Sequence, residues 1–387
     1  MEQNQSYEPL AEAVDFVIGM CLSDELIHGT VVLVCHDGQL VYHRAAGLAN
    51  PDRKITMAEN SLFRLASISK AFTSLAVAAL IEQGKIGLDD PVTKWLPDFT
   101  PKTADGNTPV ITIRHLLSHM AGLDYRWAQA ENGPYAQADI SDGVDISGIT
   151  LEENLRRVAT VPLSFEPGTS WQYSLSPDVL GAVVAKAHGS TFPQAMKELI
   201  TDPLGMTDTT FVAQEKDRDR MTVPYFLDNG VLKRMGPDEF VFNEDGWCFH
   251  FSPERAFDPN EFPSGGVGII GTGSDLMRLV EGIRKNSIPT ISEGLMKQMS
   301  TNVLPNGVPD DPSAGFGLGW GVLLDPELAG TPQSPGTLYW GGVYGHRWFT
   351  DPAKKLSVII MTTTAITLNE DPVSIGIRNA IYANLPE

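Results

Sequence analysis

Strand-forming sequence sits near both ends of this chain, and that distribution restricts the fold more than any single motif. Residues 30–36 and 39–46 are rich in β-branched and aromatic side chains and are separated by Asp37-Gly38. That pair favours the tight turn of an antiparallel hairpin, because both positions tolerate positive φ. Three more strand-like runs lie at 317–324, 337–339 and 356–363, while apolar residues between the two ends recur at helical spacing. Strands from the two ends must meet to form one sheet. The expected class is therefore α/β, of the α+β type: an antiparallel β-sheet flanked by helices, with an inserted mainly helical domain. Residues 1–90 and 260–387 supply the discontinuous sheet domain and residues 91–259 the insertion.

Helices are expected over 7–28, from Ser67 into the apolar run 75–81, and over 113–120, 151–159, 177–188 and 192–200. Beyond the insertion they are expected over 274–285, capped by Ser274, over 292–300, and over 372–384. Residues 128–148 are long, polar and rich in Gly and Asp, so they read as a surface loop. Residues 201–262 carry many turn residues and little periodicity.

Charge narrows the partners. Against 28 basic residues stand 48 acidic ones, a net charge of −20, which repels phosphate backbones and anionic membrane surfaces. No nucleic acid or membrane partner is expected. Residues 1–10 lack a basic leader, the apolar patch 14–22 contains Asp15, and nothing else approaches the ~20 apolar residues of a membrane span. A cytoplasmic chain, monomer or homodimer, follows. Cys21, Cys35 and Cys248 form no CxxC pair, and the first two read as small buried hydrophobes.

Some motifs fail on context. Gly266-Val267-Gly268-Ile269-Ile270-Gly271 fits the dinucleotide fingerprint G-x-G-x-x-G but lacks the strand that must precede it. His115 and His119 have the spacing of a metal pair, yet no carboxylate lies between them and no third ligand is indicated. Both read as structural, with no metal and no organic cofactor. No serine lies in a G-x-S-x-G elbow, which argues against an α/β-hydrolase.

Other motifs accumulate. In Ser67-Ile68-Ser69-Lys70, a helix would project Ser67 and Lys70 from one face. A lysine amine can then take the serine proton, provided burial or a nearby cation has lowered its pKa. Such a spacing arises by chance about once in a chain of this composition, so it carries little alone. Pro167-Gly168 followed by Tyr173-Ser174 presents a phenol just before a helix; beside an ammonium such a phenol can relay protons. Trp340-Gly341-Gly342 sits between strand-like runs, where paired glycines let backbone or ligand approach closely.

Taken in order, Ser67-x-x-Lys70, then Ile113 to His119 with Gly122-Leu123, then Pro167-Gly168 with Tyr173-Ser174, then Trp340-Gly341-Gly342, the chain resembles the serine β-lactamase and penicillin-recognising superfamily. More closely it looks like the family VIII carboxylesterases, from about residue 28 onward. The resemblance implies Ser67 as nucleophile, Lys70 as neighbouring base and Tyr173 as a partner in proton transfer. It also implies an oxyanion hole from the backbone N–H groups of Ser67 and Val343, and a substrate pocket lined by Tyr125, Trp340, Gly341 and Gly342.

Two departures from the β-lactamase pattern bear on substrate. Leu175 stands where Tyr-x-Asn carries an amide, and Trp340-Gly341-Gly342 replaces a cation followed by Thr-Gly. Losing the groups that hold a carboxylate leaves a pocket suited to neutral esters, and both departures are typical of family VIII. The implied activity is hydrolysis of short-chain carboxylic esters through an acyl-serine, acting on a small-molecule ester. A β-lactamase, a D-amino acid amidase or peptidase, or an acyltransferase could use the same residues. A non-catalytic binding protein is a further reading. Whether Lys70 or a Tyr173 phenolate is the base stays open at this level.

Overall fold

The structure is a computed structural model that describes residues 6–243, 246–308, 311–365 and 371–386. Helix α1 (Glu8–Ser23) carries Pro9 in its first turn and directs Leu10, Val14, Ile18 and Cys21 inward, the spacing of a one-sided helix. Strands β1 (Gly29–His36) and β2 (Gln39–Asn50) pair antiparallel. Between them Asp37 and Gly38 take φ of 49° and 82°, the positive values expected of this hairpin turn. β3 (Ile55–Thr56) pairs antiparallel with the end of β2, β4 (Phe63–Arg64) leaves the sheet, and α2 (Ser69–Glu82) follows.

The chain then runs through α3 (Ile113–Leu117), α4 (Pro134–Gln137), α5 (Leu151–Val158), α6 (Ser176–His188) and α7 (Phe192–Met196). Two small hairpins come next, β5 (Tyr225–Asp228) with β6 (Val231–Arg234) and β7 (Glu239–Phe242) with β8 (Cys248–Phe251). β9 (Ile270–Gly271) pairs with β4, and α8 (Gly273–Arg284) and α9 (Glu293–Met299) lead to the closing strands. These are β10 (Ala314–Phe316), β11 (Gly321–Leu323), β12 (Leu338–Gly342), β13 (His346–Asp351), β14 (Leu356–Thr362) and β15 (Thr364–Ala365), before α10 (Pro372–Asn384).

Among the described residues the main sheet has eight strands in the order β10-β11-β12-β13-β14-β1-β2-β3. Every pairing in it is antiparallel. The two ends of the chain meet where β1 pairs with β14, from Thr30 opposite Thr362 to His36 opposite Leu356. Alternate residues then feed two cores. Val31, Leu33, Ile359 and Met361 face α2 and α8, whereas Val32, Val34, Val358 and Ile360 face α1 and α10. Covering both faces explains why all of β14 is buried and apolar-rich. The antiparallel sheet flanked by helices is thus as expected.

Several local expectations need correction. The helix expected over 113–120 ends at Leu117, because His119 takes a φ of 56° that no right-handed helix admits. The helix over 192–200 stops at Met196 and widens into a π-helical turn, Lys197–Thr201. Thr272, not Ser274, caps α8, accepting from Asp275 N. The strand expected over 317–324 is shortened to β11, which pairs with β10 just before it; between them the chain turns at Gly317, where a Cβ would lie 2.1 Å from Met299 O.

Residues 128–148 are not a surface loop. Tyr135, Ile140, Ser141, Val144 and Asp145 are buried. Asn154 anchors the segment, receiving Ser141 N at Oδ1 and donating Nδ2 to Ser141 O, each at 2.9 Å. Polar composition misleads here because the polar groups satisfy one another inside the protein.

Candidate active site

Pairing of β4 with β9 sets the next few residues against the 264–269 segment. Leu65 N donates to Ile269 O (2.8 Å), Ile269 N to Ser69 Oγ (3.0 Å), and Thr73 Oγ1 to Gly265 O (2.7 Å). Ala66 takes a φ of 46°, a left-handed conformation that is costly for any residue with a Cβ and that recurs at functional sites. The expected start of the helix at Ser67 is corrected accordingly: Ser67 lies in a 3-10 turn, Ala66–Ile68, and α2 begins at Ser69. The two side chains still meet, with Lys70 Nζ 3.0 Å from Ser67 Oγ.

Lys70 is 1% exposed, and its amine also donates to Gly266 O at 3.0 Å. Its Nζ lies 4.7 Å from the centroid of the Tyr173 ring and 5.3 Å from that of Tyr125. Burial, which disfavours the charged ammonium, lowers its pKa to about 7, against the pull of Asp178 and then Asp142. Asp178, the third residue of α6, is itself buried and its pKa is raised by desolvation. Its Oδ1 has no partner among the described residues. Desolvation likewise raises Asp142 to about 7, although Arg126 N and Trp127 N donate to its two oxygens at 2.8 and 2.9 Å.

Tyr173 is held from both sides by His119. Gln172 N donates to His119 O (3.0 Å) and Ser174 N to His119 Nδ1 (3.2 Å), while the two rings lie 4.9 Å apart. His115 instead completes the cap of α3 with Thr112. The two histidines therefore serve separate backbone tasks. Among the described residues no group of three or more His, Cys, Asp or Glu is placed to share a metal ion. The Tyr173 phenol is hydrogen-bonded to the side chains of Ser67 and Trp340, and burial keeps its pKa above the ordinary tyrosine value. Tyr125 is 1% exposed, and its hydroxyl has no partner among the described residues.

Strand β12 closes the other side. A Cβ on Gly342 would sit 2.4 Å from Leu65 O, so only glycine lets this strand lie against the turn that carries Ser67. A Cβ on Gly341 would meet the Arg347 side chain at 2.6 Å. Gly341, Gly342 and Val343 line, with Ser67 and Tyr173, a cavity of about 840 Å³. The part of the wall around Tyr173 is aromatic: Trp127 stacks between Tyr125 (5.2 Å) and Phe249 (4.8 Å), with Trp247 at 5.0 Å, and Trp340 lies 5.3 Å from Tyr173; Arg347 and Arg378 line its far part.

Of the residues singled out in the sequence, Ser67, Tyr125, Tyr173, Trp340, Gly341, Gly342 and Val343 line one cleft, and Lys70 lies buried behind Ser67, in contact with it. Sequence reasoning missed Asp142, Asp178, Trp127, Trp247, Phe249 and Gly266. Gly266 offered a signal in the motif set aside as a cofactor loop. A Cβ there would meet Asp178 Oδ2 at 2.8 Å, Tyr125 Oη at 3.3 Å and Lys70 Nζ at 3.6 Å. That glycine leaves room for the lysine cluster.

The Beta-lactamase family profile matches residues 18–377. Esterase EstB of Burkholderia gladioli is 43% identical over 97% of this chain and 95% of its own length. The solved structure of EstCE1, a hydrolase with promiscuous acyltransferase activity, superposes with a TM-score of 0.94 at 39% identity, covering 97% of this chain and 99% of that one. A LovD6 mutant of simvastatin synthase from Aspergillus terreus shares the fold, with a TM-score of 0.77 at 21% identity over 99% of both chains.

Proposed function

The chain belongs to the Beta-lactamase family, and from that membership we propose that it is a serine carboxylesterase that cleaves short-chain esters through an acyl-serine. The observation that carries this reading is the 3.0 Å contact between Ser67 Oγ and an amine lowered to about pKa 7. At neutral pH a large fraction of Lys70 is then the free base. Tyr173, whose pKa lies above the ordinary value, is a neutral phenol, so Lys70 is the base and Tyr173 the relay.

Ser67 Oγ attacks the ester carbonyl as its proton passes to Lys70. Backbone N–H groups of Ser67 and Val343 take the developing oxyanion. The proton returns through Tyr173 to the departing alkoxide, and water, deprotonated by the same amine, releases the acid. The aromatic walls and Trp340, in place of a cation, suit a neutral ester better than an anionic lactam. The similarity to EstB supports the ester as substrate. Turnover of p-nitrophenyl acetate and butyrate, set against a penicillin, tests the reading: rapid ester cleavage and slow lactam cleavage are expected. The reverse order would make the chain a β-lactamase.

Acyl transfer to an alcohol is a second reading. It rests on a cleft roomy enough for an acceptor beside an acylated Ser67 and on the likeness to EstCE1. Transesterified product formed in the presence of an added alcohol would reveal it. Among the described residues no helix is long and apolar enough to cross a membrane. The three free cysteines suit a reducing compartment, the cytoplasm.

A further inference from the structure

Behind the catalytic cleft lies a second, smaller cavity of about 130 Å³, walled by Phe211, Val212, Pro259, Phe262 and Ile269. Val144 and Val267 line both spaces and separate them. Two polar groups on its wall have donor capacity that no described residue takes up. Arg64 donates Nε to Pro253 O (2.8 Å) and Nη1 to Thr222 O (2.9 Å). Among the described residues its Nη2 donates to nothing and no carboxylate pairs with it. The Tyr344 hydroxyl, on a residue 6% exposed, likewise has no hydrogen-bond partner among them.

The charges around Arg64 are already matched. Glu254 pairs with Arg218 at 2.9 Å, and Arg255 pairs with Glu261. Glu261 also accepts from Gly148 N (2.7 Å), and Asp258 accepts from the backbone and side chain of Asn260, both at 2.9 Å. Arg64 is left as a half-buried cation bonded only to backbone carbonyls, and the nearest opposite charge, Glu254, is already paired with Arg218; an anion entering the cavity would complete it. Burial keeps Tyr344 protonated, so it faces the cavity as a donor.

We propose that this cavity binds a short-chain monocarboxylate, with the Arg64 guanidinium and the Tyr344 hydroxyl holding the carboxylate and the apolar walls holding its alkyl tail. The ligand class follows from the donors and the volume. Its source, the acid released by ester cleavage, rests on the esterase reading above. Arg64 stands three residues before Ser67, and Tyr344 directly follows Val343. An acid bound there would press on both sides of the oxyanion site and lower kcat without competing for the cleft.

Calorimetric titration of butyrate into the Ser67→Ala protein tests binding without turnover, with 1-butanol as the neutral control. One saturable site for butyrate and none for butanol is expected. Arg64→Gln should weaken it at least about tenfold, as loss of a charge-assisted hydrogen bond does. Val212→Phe should fill the cavity and abolish binding while leaving ester turnover and melting temperature near those of the parent. In the unaltered protein butyrate should lower kcat for p-nitrophenyl acetate with KM unchanged. Absence of saturable binding, binding indifferent to both substitutions, or purely competitive inhibition would overturn the proposal. Failure to hydrolyse p-nitrophenyl acetate would instead overturn the esterase reading, and the titration would still decide the cavity.

Discussion

A lysine amine takes a proton from a serine only when it is itself neutral, and Lys70 meets that condition through burial against Asp178 and Asp142. Its protonated form is lost as pH rises through about 7, so kcat/KM should fall on the acid side of that value. Asp178, the larger of the two opposing charges, holds the amine's pKa up. Asp178→Asn should therefore move the acid limb to lower pH, and a limb that stays in place would assign it to another group. Stability follows the same sign. Between about pH 7 and the ordinary lysine value the unfolded chain binds the proton and the folded chain does not, so this residue's contribution to stability rises with pH there. Lys70→Met should lower kcat roughly 10²–10⁴-fold, the range for a lost general base, with the circular dichroism of the parent retained.

Three elements converge on the cleft: the 3-10 turn before α2, the segment before α6, and β12. The first is the most local, which is why Ser67 and Lys70 stand out in the sequence three residues apart. The hairpin at Asp37-Gly38 and the helix at 372–384 are legible for the same reason, since turn chemistry and periodicity act over a few residues. Asp142 and Asp178 are not, because a carboxylate becomes buried only through packing between distant segments. Phe249 escaped because β8 has only four residues and sits in turn-rich sequence. At β12 the backbone contact with Leu65 makes a sharp prediction. Gly342→Ala would place a methyl 2.4 Å from Leu65 O, displacing Val343 N from the proposed oxyanion site. A loss on the order of 10²–10³ in kcat is expected, measured beside a melting curve to show that the variant is folded.

On the scale of the whole molecule, one sheet separates two cores, and α2, the helix that carries Lys70, buries its apolar residues in only one of them. Ile377 is fully buried in the core beneath α1 and α10, on the face away from Lys70. Ile377→Ala should cost about 2–5 kcal/mol in denaturant unfolding while kcat stays at its original value. A drop in kcat would mean that the outer core also positions the cleft. The net charge of −20 acts at this scale too, favouring approach of neutral or cationic esters over anionic ones at low ionic strength.

The central claim is that Ser67 is acylated with Lys70 as its base. Intact-protein mass after brief exposure to an alkyl phosphonate, with p-nitrophenyl butyrate turnover followed in parallel, tests it most directly. One adduct per chain, mapping to Ser67 and rising in step with the loss of activity, is predicted, with no adduct in Ser67→Ala and far slower labelling in Lys70→Met. An adduct on another residue, or full ester turnover by Ser67→Ala, would contradict it.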